Sequence, residues 1–149
     1  MEISERGLGE TQAGAEVGAH ELGWFAVRQP GIVRFLEVRL MADDGDAFAV
    51  GLEAAWRIWA LFEARDGVPP ARVARSLLER AERAVIGEAR AGILADGCAL
   101  RQPGLCRWLA QLMADPPLPL TAGEAGEVGT ALAAVIYALD EVTTGRAVP

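Results

Sequence analysis

Residues 28–36 read RQPGIVRFL, and residues 101–109 read RQPGLCRWL, 101 − 28 = 73 positions later. Six of the nine positions are identical, and two more exchange Ile for Leu and Phe for Trp. A nine-residue match of this kind is too long to be attributed to chance. It indicates that the chain contains an internal repeat of about seventy residues.

The match continues on both sides of these two stretches. Val50-Gly51 aligns with Val128-Gly129 at an offset of 128 − 50 = 78, and in the same register Trp59 aligns with Tyr137. The growth of the offset from 73 to 78 fits an insertion around residues 116–120. On the other side, residues 5–6 and residues 79–80 both read Glu-Arg, at an offset of 74. We therefore expect a single domain over residues 1–149, made of two copies at about 3–70 and 77–149 that pack with pseudo-two-fold symmetry.

The spacing of the apolar residues is helical throughout, and no alternating β-branched run predicts a strand. Pro30 and Pro103 each stand where a first helical residue is expected, since proline lacks the amide hydrogen that such a position leaves unused. Gly67 is a helix stop, and Thr121 with Glu124 forms a capping box. The sequence predicts an all-α fold with three helices in each copy. The expected helices span about 10–27, 30–42, 46–65, 70–95, 103–114 and 122–144.

The helical pattern places the tryptophans in the core. Trp24 lies on the apolar stripe of the first helix, and His20 lies beside it, where we expect a buried and hydrogen-bonded imidazole. Trp59 is central in the stripe of the third helix. Together with Trp56 and Tyr137 it could instead line an aromatic pocket between the two copies, which would accept a flat or apolar small molecule.

The composition narrows the classes of function. The net charge is −7, and all 14 basic residues are arginines, which is typical of a GC-rich bacterial genome. The acidic balance disfavours nucleic-acid binding, because affinity for nucleic acid comes mainly from neutralising phosphates. No apolar run reaches the roughly 20 residues of a membrane span, and the first residues lack the pattern of a secretion signal. These features predict a cytoplasmic protein that does not bind a membrane.

The side chains needed for common catalytic and metal sites are scarce. The chain has one His and two cysteines, Cys98 and Cys106, which are not in a CxxC arrangement. Such a set does not supply the ligands of a usual zinc site, and the Asp-rich turn at 43–46 lacks the calcium-loop pattern. We therefore predict no metal, no cofactor and no catalytic residue, and favour a protein that is not an enzyme.

Four arginines of the repeated stretch are the candidate charged site residues. Arg28, Arg34, Arg101 and Arg107 flank the starts of two helices, where free backbone amides favour an anion. The alternative is structural: each arginine pairs with a neighbouring carboxylate or carbonyl group. We favour the structural alternative, because duplicated motifs usually preserve packing and turn chemistry.

The last helix is uncharged from residue 128 to residue 139. In the first copy the third helix has a polar side formed by Glu53 and Arg57, and the aligned positions of the last helix are Ala131 and Val135. An apolar surface all round indicates burial between the copies or in an interface. We therefore predict an interface at Ala131, Val135 and Leu139. The resulting functional hypothesis is a non-enzymatic helical interaction or assembly module that binds a protein partner or itself, and the alternative is a small-molecule-binding protein.

Overall fold

The computed structural model describes residues 18–41, 45–90 and 102–148, and these residues are helical without any strand. This confirms the all-α prediction for the described residues. Among the helices of these three ranges, none combines the length and the apolar character that crossing a membrane requires. The helices are α1 (Ala19–Arg28), α2 (Pro30–Leu40), α3 (Asp46–Asp66), α4 (Arg75–Arg90), α5 (Pro103–Ala114) and α6 (Ala122–Thr144).

The local signals in the sequence place most helix ends correctly. Both α2 and α5 begin at their prolines, and a left-handed glycine, Gly67, follows the end of α3 at φ 74°. The capping box at the start of α6 is present. The Glu124 amide donates to Thr121 Oγ1 at 3.1 Å, and the Thr121 amide donates to the Glu124 carboxylate at 2.9 Å. These ends are set by neighbouring residues, which is why the sequence alone predicts them.

Three of the predicted helices have bounds that differ by more than one residue in the structure. α1 begins at Ala19, because Gly18 before it has an extended backbone. α2 ends at Leu40, and α4 begins at Arg75, five residues after the predicted start. The backbone before Arg75 is not helical because Gln29 holds it in another conformation, as described below. The predicted helical residues 10–17 and 91–95 lie outside the described residues, as does part of the Asp-rich turn.

α6 is the central helix of the structure. It packs against α2, α3, α4 and α5, and every residue from 131 to 140 is buried. The three residues predicted at an interface, Ala131, Val135 and Leu139, are at most 2% exposed. Their neighbours belong to the same chain, so packing within one chain accounts for the uncharged run. Their burial needs no partner, and their contact with one stays a prediction from the sequence.

α4 lies along α6 and is held to it by polar as well as apolar contacts. Arg80 donates to both carboxylate oxygens of Glu141, at 2.8 and 2.9 Å, and the Tyr137 hydroxyl donates to the Glu88 carboxylate. A second arginine fork joins α2 to α4, where Arg39 donates to Glu82 at 2.6 and 2.8 Å. The hydrogen bond that Arg39 donates to Glu82 raises the pKa of Arg39.

The side of α1 that packs against the core differs from the side that the sequence predicts. Phe25 is fully buried and its ring packs against that of Trp59, with centroids 5.6 Å apart. Trp24 is 54% exposed, and His20 is exposed as well. Placing Trp24 and His20 in the core was therefore wrong. The apolar stripe of this short helix passes through Phe25, so that Trp24 lies at the edge of the contact with α3.

The glycine of the first RQPG stretch permits a close backbone approach. A Cβ atom at Gly31 would lie 2.5 Å from the carbonyl oxygen of Val73, a distance at which the backbone has to move. The start of α2 can therefore lie against the segment before α4 only because residue 31 has no side chain.

We expect Gly31→Ala to lower the free energy of unfolding by about 1–3 kcal/mol, the usual cost of inserting an atom into a packed region. Gly23→Ala is the matched control, because Gly23 lies inside α1 with nothing within 4 Å of the added atom. That control should raise stability by about 0.5–1 kcal/mol through helix propensity. Denaturant unfolding measures both changes. Equal effects of the two substitutions would show that Gly31 is not in close contact.

Candidate functional site

The glutamine of the first RQPG stretch has a structural role that the sequence analysis missed. Gln29 is fully buried between α1 and α2. Its Nε2 donates to the carbonyl oxygens of Pro70 and Ala71 at 3.3 and 2.9 Å, and its Oε1 accepts from the amide of Val73 at 3.0 Å. One side chain thereby satisfies three backbone groups of the segment that leads into α4.

The second glutamine is equally buried but has another partner. Gln102 Nε2 donates to Oδ1 of Asp140 on α6 at 3.0 Å, and Arg146 donates to the same oxygen at 2.7 Å. Asp140 is fully buried, and the arginine balances its charge. The identity of the glutamine in both copies was the available signal, and it indicates packing rather than ligand binding.

The arginines of the repeated stretch are not brought together. Arg28 lies over the ring of Trp24, with its Cζ 5.0 Å from the ring centroid. Arg34 is exposed and pairs with Glu37 at 3.1 Å. Arg107 is exposed on α5, and Arg101 lies outside the described residues. The two described arginines of the first copy line different depressions of the surface.

A depression between α1 and α3 is lined by three tryptophans, one arginine and two glutamates. We call it the tryptophan groove and define it by the residues that line it. Its volume is about 480 Å³ and it is open to solvent. Typical ligand-binding clefts measure about 300–1,000 Å³, so the groove is large enough to hold a ligand or part of a partner. The lining residues used below are Glu21, Trp24, Arg28, Trp56, Trp59 and Glu63.

The three indoles lie at different depths in the tryptophan groove. Trp59 is 6% exposed, Trp56 is half-buried, and Trp24 is more than half exposed. Among the described residues, the buried Nε1 of Trp59 has no hydrogen-bond partner. Leaving a buried donor unsatisfied costs about 1–3 kcal/mol. The groove therefore has an apolar edge that is exposed to solvent and an inner indole that is almost fully buried.

The acidic side chains of the groove are also unpaired in the described part of the chain. Neither Glu63 on α3 nor Glu21 on α1 forms an ion pair or a side-chain hydrogen bond with any described residue. A neighbouring depression of about 400 Å³ shares Trp24 and Arg28 with the groove, and it is lined by Val27 and Arg72 as well. The exposed edge around Trp24 thus has carboxylates on one side and guanidinium groups on the other.

The predicted aromatic pocket is only partly assembled. Trp56 and Trp59 line the tryptophan groove, whereas Tyr137 is fully buried and hydrogen-bonded to α4. A separate depression between α3 and α5 has Trp108 in its wall and a volume of about 190 Å³. This depression is lined by residues of both halves of the sequence, and it is smaller than a typical ligand-binding cleft.

No group of three His, Cys, Asp or Glu side chains is arranged to hold a metal ion within residues 18–41, 45–90 and 102–148. Comparison of the chain with protein-family models, with curated proteins and with solved structures finds no match. The functional interpretation therefore follows from the residues themselves.

We expect Trp59→Ala to lower the free energy of unfolding by about 3–5 kcal/mol, the usual cost of removing a large buried aromatic side chain. Trp59→Phe keeps a ring against Phe25 and removes the unpartnered N–H, so its cost should stay below about 1.5 kcal/mol. Thermal and denaturant unfolding of the two variants measures the difference. An unchanged midpoint for Trp59→Ala would show that the indole contributes nothing to packing.

Proposed function

We propose that this protein is a non-enzymatic helical interaction module, and that it binds a partner protein through the tryptophan groove. The observation that carries the proposal is the position of Trp24 at the open edge of a groove whose inner wall holds Trp56 and Trp59. Exposed apolar patches rimmed by polar groups mark interaction sites, and tryptophan is enriched among the residues that dominate binding energy.

The shape of the groove favours a helix as the bound element. Its lining residues on α3 run from Trp56 to Ala64, which is 64 − 56 = 8 steps along the helix. At 1.5 Å per residue this is about 12 Å, or just over two turns of a helix lying along α3. Helix-in-groove binding uses an apolar face set into such a channel, with charged residues along its edges.

The same proposal includes the duplicated architecture. Two features support a pseudo-two-fold arrangement of two tandem three-helix repeats. Gln29 and Gln102 are both fully buried and have similar backbone angles, φ −129° with ψ 59° and φ −143° with ψ 76°. The long helices α3 and α6 both end at a left-handed glycine, Gly67 at φ 74° and Gly145 at φ 77°. A cytoplasmic location and a bacterial source remain expectations from the sequence.

A protein partner is favoured over the other candidates. The net charge of −7 disfavours nucleic acid. The small-molecule alternative was based on a pocket that joins Trp56, Trp59 and Tyr137, but Tyr137 is fully buried and does not line the groove that the two tryptophans line. Self-association through α6 loses its basis because that helix is buried in its own chain. The tryptophan groove is the surface that remains.

The test uses a photo-crosslinking amino acid placed at Trp24, with the same probe at the exposed Gln111 of α5 as the matched control. A protein that crosslinks only from position 24 in the source cells is purified and titrated against the chain by tryptophan fluorescence. We expect Trp24→Ala to weaken the binding at least about tenfold, as is usual for a central aromatic contact, while Gln111→Ala has no effect.

Two results would contradict this function. One is equal crosslinking from both positions. The other is binding that Trp24→Ala leaves unchanged although circular dichroism shows the variant to be folded.

A further inference from the structure

We propose that the tryptophan groove binds an amphipathic helix of a partner protein that places an arginine against Glu63. This inference rests on the proposed function and adds the chemistry by which the partner is recognised. Its basis is that another helix of the same chain already covers the surface of α6 that aligns with this part of α3.

That helix is α4, which lies along α6. Arg80 of α4 contacts both carboxylate oxygens of Glu141, and Glu88 accepts a hydrogen bond from Tyr137. Residue numbers rise along α4 while their partners' numbers fall along α6, so the two helices are antiparallel at this contact. The contact consists of an aromatic residue and, one turn later on α6, a glutamate paired with an arginine.

The sequence repeat gives α3 the same pair of residues. At the offset of 78, Trp59 aligns with Tyr137 (137 − 59 = 78), and Glu63 aligns with Glu141 (141 − 63 = 78). Trp59 and Glu63 both line the tryptophan groove. Within the described residues, the part of α3 that corresponds to the α4-binding surface of α6 is therefore covered only in part, by Phe25 of α1 at Trp59, and it otherwise borders the groove.

Both polar groups of this surface lack the partners that their counterparts have. Tyr137 has Glu88 as an acceptor, whereas the Trp59 Nε1 is buried without an acceptor among the described residues. Glu141 has Arg80, whereas Glu63 has no cation within the described residues. An arginine is the group that completes the second contact, because its guanidinium can bind both oxygens of a carboxylate.

Residues 1–17 of this chain are the other candidate occupant, because Glu5-Arg6 aligns with Glu79-Arg80 at the offset of 74. The apolar positions argue against them. α4 covers α6 with Leu77, Leu78 and Val85, all of which are buried. At the same offset these positions are Ile3, Ser4 and Thr11. By sequence the segment thus retains the arginine but only one of the three large apolar residues with which α4 covers α6, so an amphipathic helix of a partner is the better match.

The test is a selection from a defined library. The library displays 16-residue helices that carry a Leu/Ala face, with all residues allowed at the flanking positions. Helices that bind the full chain are selected from this library. Parallel selections use Glu63→Gln, Glu63→Arg and the matched control Glu127→Gln, which removes an exposed carboxylate of α6 outside the groove. Circular dichroism confirms that each variant is folded, and Trp24→Ala identifies the helices that bind in the groove.

We expect arginine to be enriched at least about tenfold at one flanking position with the full chain and with Glu127→Gln, as a close charge pair would require. The enrichment should disappear with Glu63→Gln, and with Glu63→Arg it should change to Asp or Glu.

Three results would overturn the inference. Groove-binding helices without an arginine preference would contradict the role of Glu63 and leave the interaction function standing. The absence of any helix whose binding depends on Trp24 would contradict both. Enrichment that occurs only after deletion of residues 1–17 would show that the chain's own segment occupies the groove.

Discussion

The structure depends on the burial of α6. Between Val128 and Leu139 this helix has no charged side chain, so exposing any of its sides to water would cost free energy in proportion to the apolar area uncovered. Four helices, α2 to α5, surround it and remove that cost within one chain. In its last turns the carboxylate of Asp140 is fully buried, where it accepts hydrogen bonds from the buried Gln102 and from the half-exposed Arg146. The layout of the other helices follows from the need to cover this one.

The burial of α6 also indicates where a partner can bind. α3 aligns with α6, but it keeps a polar side through the ion pair of Glu53 and Arg57 at 2.9 Å, and it is less completely covered by its neighbours. In the described part of the chain, Trp56, Trp59 and Glu63 of α3 line a groove that is open to solvent. The proposed binding surface follows from this difference between two aligned helices, one fully covered and the other covered in part.

Sequence reasoning succeeded where the deciding interactions are local. Pro30 and Pro103 mark helix starts, and Thr121 with Glu124 caps α6, because each signal acts within four residues.

Sequence reasoning failed where the deciding interaction is long-range. The late start of α4 depends on hydrogen bonds from Gln29 to residues 41–44 positions away, and no local pattern contains them. The face of α1 was misassigned because ten residues define a stripe too weakly to separate Phe25 from its neighbour. Likewise, the alignment with Tyr137 could not show that Trp59 lines an open groove, because different helices cover the two residues.

The most direct test of the central claim is amide hydrogen exchange along α6 at two protein concentrations about a hundredfold apart. If one chain alone buries this helix, the amides of residues 128–139 should exchange only through global unfolding, because no smaller opening exposes them. Their protection should also be the same at both concentrations. Protection that falls on dilution would mean that a second chain supplies part of the burial, and it would contradict the account of α6 as the internal centre of the fold.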